Sequence, residues 1–304
     1  MTHSAAIAVG VFDGLHLGHR AILDRALARA RERSGRCVVV SFDPHPDVVL
    51  SKVEFRIPPP LTPIPEKRAR LRELGVDELR IVPFTRELAA LSPEAFVEQY
   101  LVRPFAPHAL VVGNGFALGR GRAGNVERLR AIGTGQGFVV DEMPLLEVDG
   151  GPVSSTRIRG LLQEGRVREA AVLLGAPYEL AGRVVTGDGI GRTLGFPTAN
   201  LRLHDEKLVP ADGIYAARAA IGRGAEKRPA AMSIGMRPTF DGRTRTLEVH
   251  LLDWSGDLVG QELVVEMVDW LRPERRFDGA EALVEAMRED VEETRRRLRA
   301  EATA

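Results

Sequence analysis

The feature that most constrains this 304-residue chain is a change of rhythm near residue 177. Before it, short apolar runs at 5–9, 37–42, 79–84, 109–112 and 138–143 alternate with amphipathic stretches at 21–33, 66–74, 93–102 and 125–132. Such alternation predicts a parallel sheet with helices on both faces and ligands at the carboxyl ends of the strands. Ser92, Pro93 and Glu94 form a helix start, with a capping hydroxyl and proline at the first position. After Gly175, Ala176 and Pro177, strand-like runs follow at 178–185, 214–221, 230–234, 246–254 and 262–271, and no helix is expected before 279–298. That pattern predicts a small antiparallel barrel closed by one terminal helix. The expected domains are 1–177 and 178–304. Residues 57–65 carry five prolines and read as an extended loop.

Composition removes several function classes. Acidic and basic residues balance at 42 each, which argues against a nucleic-acid binder relying on a basic field. Arginines outnumber lysines 38 to four, so only arginines inside motifs carry weight. Cys37 is the single cysteine, which excludes an internal disulfide; its apolar setting predicts a small buried core group. No apolar run approaches the ~18 residues of a membrane span, and the amino terminus lacks a basic-then-apolar signal layout. A cytoplasmic protein with small-molecule partners is expected, with neither nucleic acid nor membrane; self-association is left open.

Two turns carry the chemistry. After the first strand, Gly10, Val11, Phe12, Asp13, Gly14, Leu15, His16, Leu17, Gly18 and His19 lead directly into a helix. A strand, a tight turn and a helix start bind phosphate, because the first helical N–H groups are unpaired and the dipole end is positive. His16 and His19 lie three apart and share a face; Gly18 leaves room for a phosphate to approach. Asp43, Pro44, His45 and Pro46 form a stiff turn after the second strand, and Ser154, Ser155, Thr156 and Arg159 begin a helix whose hydroxyls and guanidinium suit a polyphosphate. In the second half, Gly187, Gly189, Gly191 and Gly195 permit a backbone that wraps phosphate. Thr198 and Asn200, two apart, can both reach one hard cation. Glu248 and His250 share one face of a strand whose other face is Leu247, Val249 and Leu251. Leu283, Met287 and Val291 stripe the terminal helix, where core packing is expected.

Taken together, these motifs resemble the bacterial bifunctional riboflavin kinase/FAD synthetase family. Its patterns GxFDGxHxGH, [ST]FDPHP and SSTxxR fall on Gly10 to His19, Ser41 to Pro46 and Ser154 to Arg159. The PTAN signature falls on Pro197 to Asn200, and LRPExxF on Leu271 to Phe277. The resemblance spans residues 5–298. It implies a Rossmann-like nucleotidyltransferase domain followed by a β-barrel kinase. It further implies riboflavin, FMN and FAD as substrates and products, and Mg²⁺ with ATP.

By the same resemblance, Glu248 is the kinase base, Thr198 and Asn200 hold Mg·ATP, and Arg272 stands on a mobile flap by the nucleotide and flavin. His16, His19, Gly10, Phe12, Gly18, Ser155, Thr156 and Arg159 meet the triphosphate in the amino half. Asp43, Pro44, Pro46 and Phe116 face the flavin there, and residues 234–240 shape the kinase's flavin pocket. The chain departs from the family at Asn114 and Gly115, where an acid and then Asp or Asn are usual, and at Leu118, where a ring is usual. Adenylyl transfer is still expected. The alternatives are a kinase with an inactive amino half, a non-catalytic flavin or nucleotide regulator, and a transferase using another phosphorylated acceptor.

Overall fold

The computed structural model describes residues 4–51, 59–187, 189–203, 206–239 and 242–302; Ile57 and Pro58 of the proline-rich stretch, Asp188 and Phe240 lie outside the described residues. Residue contacts divide the chain into two units, Met1–Ser155 and Thr156–Ala304.

In the first unit, β1 (Ala5–Val9), β2 (Arg36–Asp43), β3 (Glu78–Pro83), β4 (Pro107–Gly113) and, after a two-residue hairpin of β5 (Ala117–Leu118) with β6 (Gly124–Asn125), β7 (Val139–Met143) build the expected sheet. Its order is β3-β2-β1-β4-β7 and every pairing is parallel. A further hairpin joins β8 (Glu147–Val148) to β9 (Gly151–Pro152). The central strand is buried along its whole length, as a parallel strand covered on both faces must be. Its Ile7, with Val38, Val40 and Val112, packs against Phe96, Leu101 and Leu129. Ala6 and Ala8 on the opposite face pack with Leu23 and Ala26 of α1 (Leu17–Glu32). Because β1 lies between β2 and β4, the chain reverses its winding there, and a crevice opens at the carboxyl ends of these strands. Ser92 caps its helix as expected, its hydroxyl accepting from the Ala95 N–H at 3.2 Å. The helix expected at 93–102 continues as a π-helical turn, Glu98–Val102, into Arg103–Phe105. Cys37 is a buried core group as expected, its thiol pushed up to about 12 by burial.

The second unit begins at Thr156, one residue into helix Ser155–Gln163, and continues with helix Val167–Leu174. A closed antiparallel barrel follows, in the order β10 (Tyr178–Val185), β11 (Ala199–Leu203), β14 (Gly242–Leu251), β13 (Arg228–Thr239), β12 (Gly213–Ile221), β15 (Glu262–Arg272). Two expectations are corrected here. A short helix, Ile190–Thr193, interrupts the run of strands before the terminal helix Ala280–Ala302. On that terminal helix the buried positions are Ala286, Asp290, Thr294 and Leu298, whereas Leu283, Met287 and Val291 line a cavity. Periodicity finds an apolar stripe but not what it faces.

Helix α1, which carries the histidine turn, is pinned to β7 by Asp141. Its carboxylate accepts from Arg25 Nε at 2.6 Å and from Arg29 Nε and Nη2 at 2.7 and 2.9 Å. These bonds, Arg29 foremost, hold the Asp141 carboxyl down to about 2 against an ordinary 3.8. Stability from such a depressed carboxyl is present above pH 3.8 and lost as pH falls toward 2. Asp141→Asn should therefore destabilise the first unit by on the order of 1 kcal/mol at pH 7, after allowance for solvent screening, and flatten the pH dependence of thermal unfolding between pH 4 and 2.

Candidate active sites

The turn after β1 stands in a conformation that bulky residues avoid: Phe12 has φ 51° and Leu15 φ 46°. It persists because polar contacts fix it from several sides. The Asp13 carboxylate accepts from the amides of Leu61 and Thr62 at 3.1 and 2.9 Å, and the Thr62 hydroxyl accepts from the Gly14 N–H at 3.1 Å. Ser155 donates to the Asp13 carbonyl at 2.8 Å. Ser41 and Lys67 both donate to the Val11 carbonyl, at 2.9 and 2.7 Å.

His16 caps α1, its Nδ1 accepting from the His19 N–H at 3.3 Å. The two imidazoles stack with centroids 3.6 Å apart, and Phe12 meets His19 edge-on at 5.2 Å. Burial pushes His16 down to about 4, although Asp13 opposes the shift; burial, then His16 and Lys67, pushes His19 well below its ordinary value. Both rings are therefore neutral at pH 7, each carrying one N–H and one unprotonated ring nitrogen. The His19 Nδ1 is buried with no hydrogen-bond partner in the structure. The room expected at Gly18 is filled by the His16 ring, 3.3 Å from where a Cβ would stand; Gly10 similarly makes way for the Phe12 ring.

A cavity of about 690 Å³ opens over this turn, lined by Gly10, Phe12, His19, Pro46 and Phe116 with Phe42, Phe84 and Phe96. His16 lies beneath it rather than in its wall, and Asp43 and Pro44 shape the turn at the end of β2 without lining it. Gly115 takes a left-handed φ of 67°, a region that Asn and Asp also populate. Leu118 is buried and keeps the wall apolar. Thr156 and Arg159 follow Ser155 one turn apart on helix Ser155–Gln163, and by contacts belong to the second unit.

In the barrel, two cavities adjoin. One of about 380 Å³ is lined by Leu194, Ile214, Met232, Met287, Glu248 and Arg272; the other, of about 320 Å³, by Gly187, Arg192, Pro197, Trp254, Ser255 and Asp257. Gly189, Thr198 and Asn200 line both, so they stand at the seam. The Thr198 hydroxyl donates to Glu248 Oε2 at 3.1 Å, and Asn200 pairs with Glu248 across β11 and β14. Gly187 is required because a Cβ there would collide with the Asn200 amide; Gly191 lies against the Phe196 carbonyl, and Gly189 and Gly195 turn at φ 72° and 85°. His250 bonds through Nδ1 to the Pro197 carbonyl at 2.9 Å and supports the turn. Arg272 is tied to the buried Asp290 of the terminal helix by two bonds of 2.7 and 2.6 Å, which places it in the wall of the first cavity.

Sequence reading missed Asp13, Lys67, Glu274 and Asp290. The first belongs to the quoted FDG run, and the second is one of only four lysines, which is the signal that was available. Glu274 lies over Gly235, held by the Met236 N–H and the Ser233 hydroxyl, with its carboxyl pushed up chiefly by burial. Among the described residues no three His, Cys, Asp or Glu side chains gather to hold a metal. The hard oxygens of Thr198 and Asn200 suit a cation that arrives with phosphate oxygens of its own.

A family model described as FAD synthetase matches residues 1–157, and one described as riboflavin kinase matches residues 174–298. Curated bifunctional riboflavin kinase/FMN adenylyltransferases are similar along nearly the whole chain. That of Listeria monocytogenes is 37% identical over 95% of this chain and 91% of its own length. That of Escherichia coli K12 is 37% identical over 91% and 87%, and that of Bacillus subtilis 35% over 95% and 91%. A solved structure described as a macrolide-efflux protein from Streptococcus pneumoniae matches with TM-score 0.87 at 32% identity, covering 97% of both chains. In the present chain no helix among the described residues is long and apolar enough to cross a membrane. With an adenylyltransferase-type turn in one half, a kinase-type seam in the other and relatives matching both, the chain belongs to the bifunctional riboflavin kinase/FMN adenylyltransferase family.

Proposed function

We propose residue roles for the two reactions of this enzyme, riboflavin to FMN in the carboxyl half and FMN to FAD in the amino half. The observation that carries the kinase assignment is the seam, where Thr198 and Asn200 divide an apolar-walled cavity from a second one with Glu248 beside them. Glu248 takes the proton from the ribityl 5′-hydroxyl as that oxygen attacks the γ-phosphate of ATP, and ADP leaves. Thr198 and Asn200 hold the cation; Mg²⁺, when bound with ATP, neutralises charge on the phosphate oxygens. Gly187, Gly189 and Gly191, which line the cavities, wrap the phosphates, Gly195 turns the chain behind them without lining either cavity, and Arg272 borders the flavin.

In the amino half an FMN phosphate oxygen attacks the α-phosphorus of ATP and pyrophosphate leaves. No covalent enzyme intermediate forms, so the site needs oriented donors rather than a nucleophile. His19 and the first amides of α1 supply them over a cavity whose Pro46 and Phe116 border the flavin. His16 orients His19, and Ser155 holds the Asp13 carbonyl behind the turn that meets the triphosphate. The division at 177 is supported by the kinase family match beginning at 174, and riboflavin, FMN and ATP are the partners this reading requires, with the cytoplasm as the place of reaction.

Incubation with riboflavin, ATP and Mg²⁺, followed by chromatography, should yield FAD; accumulation of FMN alone would mean that the amino half does not turn over. Glu248→Ala should lower FMN formation about 10²–10³-fold while sparing FMN-to-FAD conversion, and His19→Ala should do the reverse. Equal damage to both steps by either substitution would sink the assignment of separate sites.

The neutral His16 makes a pH prediction. Its imidazole titrates near 4 in the folded protein against 6.5 unfolded, so the unfolded chain binds more protons between these values. Stability of the amino half is therefore retained above pH 6.5 and falls as pH drops toward 4, by about 2–3 kcal/mol at pH 4.5. His16→Asn keeps a capping side chain and should remove the His16 share of that slope in thermal unfolding at pH 7 and 4.5, leaving the share of the buried His19.

A further inference from the structure

Lys67 is a buried cation that the residue roles above leave unused. It lies on helix Ile64–Glu73 and is 5% exposed, in a chain that uses arginine almost everywhere else. Burying an ammonium costs several kcal/mol unless the surroundings favour the charge. Here the surroundings do so in a directed way. Its Nζ donates to the Val11 carbonyl at 2.7 Å, the same oxygen that accepts from Ser41 at 2.9 Å. Asp13 of the turn and Asp43 at the end of β2 favour the charge, while burial opposes it and pushes the amine below its ordinary value. From the other side stand His16 and His19 of α1, and the Lys67 charge disfavours protonation of His19.

Val11 precedes Phe12, whose left-handed backbone and edge-on contact set the His19 ring. Lys67 is absent from the cavity wall, so it acts on the site through that carbonyl and through its field. We propose that Lys67 is a positioning residue for adenylyl transfer: its ammonium fixes the Val11 carbonyl behind the histidine turn and supplies a preorganised positive charge beneath the bound triphosphate. In a water-poor floor such a charge acts strongly on phosphate while needing no reorganisation during the reaction. This rests on the amino half being the adenylyl-transfer site.

The test uses the whole protein and both reactions. Lys67→Met should lower kcat for FMN-to-FAD conversion about 10²-fold, with KM for FMN changed far less, while riboflavin phosphorylation by the same molecules stays at the wild-type rate. Imidazole NMR should show the His19 midpoint rising in Lys67→Met and unmoved in Ser41→Ala, which removes the other donor to Val11 without removing a charge. The midpoint reports that the ammonium's field reaches the histidine turn; a purely structural lysine would leave kcat for FMN-to-FAD conversion unchanged in the folded variant.

A second measurement needs no variant at position 67. Labelling lysine at Cε gives only four signals, and Lys52→Arg, Lys207→Arg and Lys227→Arg assign the Lys67 signal by elimination. Adding Mg²⁺ with an ATP analogue bearing a methylene between its α and β phosphates should raise the Lys67 midpoint. Wild-type kinetics in Lys67→Met, or a Lys67 midpoint indifferent to the analogue, overturns the inference even though wild type makes FAD. A wild-type protein that phosphorylates riboflavin but never forms FAD overturns the reading of the amino half itself, and this inference with it.

Discussion

A polyphosphate can be gripped by backbone only if that backbone cannot relax away from it. In the amino half the constraint is met at one carbonyl and one carboxylate. The Val11 oxygen receives two donors and the Asp13 carboxylate receives two amides, which together hold Phe12 at a φ that its side chain disfavours. Such strain costs of order 1–3 kcal/mol and survives where neighbours over-determine it. The stacked histidines follow from that turn, because Phe12 supplies the edge against which His19 rests. The carboxyl half solves the same problem by packing: the Asn200 amide occupies the space that a side chain at Gly187 would need.

Neutrality of the histidine pair belongs to the same logic. Two stacked imidazoles, buried and near an ammonium, cannot both carry charge at low cost. As neutral N–H donors they neither repel one another nor require counter-ions before ATP arrives. Behind the neutral pair the one buried lysine among this unit's described residues, Lys67, holds its positive charge against the Val11 carbonyl.

The sheet and barrel were legible in the sequence for a physical reason. Parallel strands buried on both faces must be apolar throughout, as Ala5–Val9 is, and barrel strands must alternate, as residues 247–251 do. Strand β11 escaped because its five residues overlap the PTAN motif and point Asn200 and Arg202 away from the buried side. The motifs supplied His19, Pro46, Phe116, Thr198, Asn200 and Glu248, all of which border cavities. Sequence reading could not supply Asp13 with Leu61, or Lys67 with Val11, since these bonds join residues some fifty positions apart that share no periodicity. The Leu283 stripe failed differently: an apolar helix face satisfies a flavin-sized cavity as well as it satisfies a core.

The hydrogen bond between Thr198 and Glu248 divides the work of both groups. By donating its proton to Oε2, the Thr198 hydroxyl turns its lone pairs outward, the orientation a hard cation needs. The same bond fixes the carboxylate through one of its two oxygens. Glu274 shares this cavity with Glu248; its carboxyl is raised chiefly by burial, then by Asp212, with Glu248 adding the least. Two carboxylates facing one small space favour a cationic occupant or a hydrogen-bond donor, and the ribityl chain is rich in the latter. Arg272 cannot offset them freely, because its guanidinium is already committed to Asp290. Arg275, which also lines this cavity and stands 3.6 Å from Glu289, is the other cation near the two carboxylates.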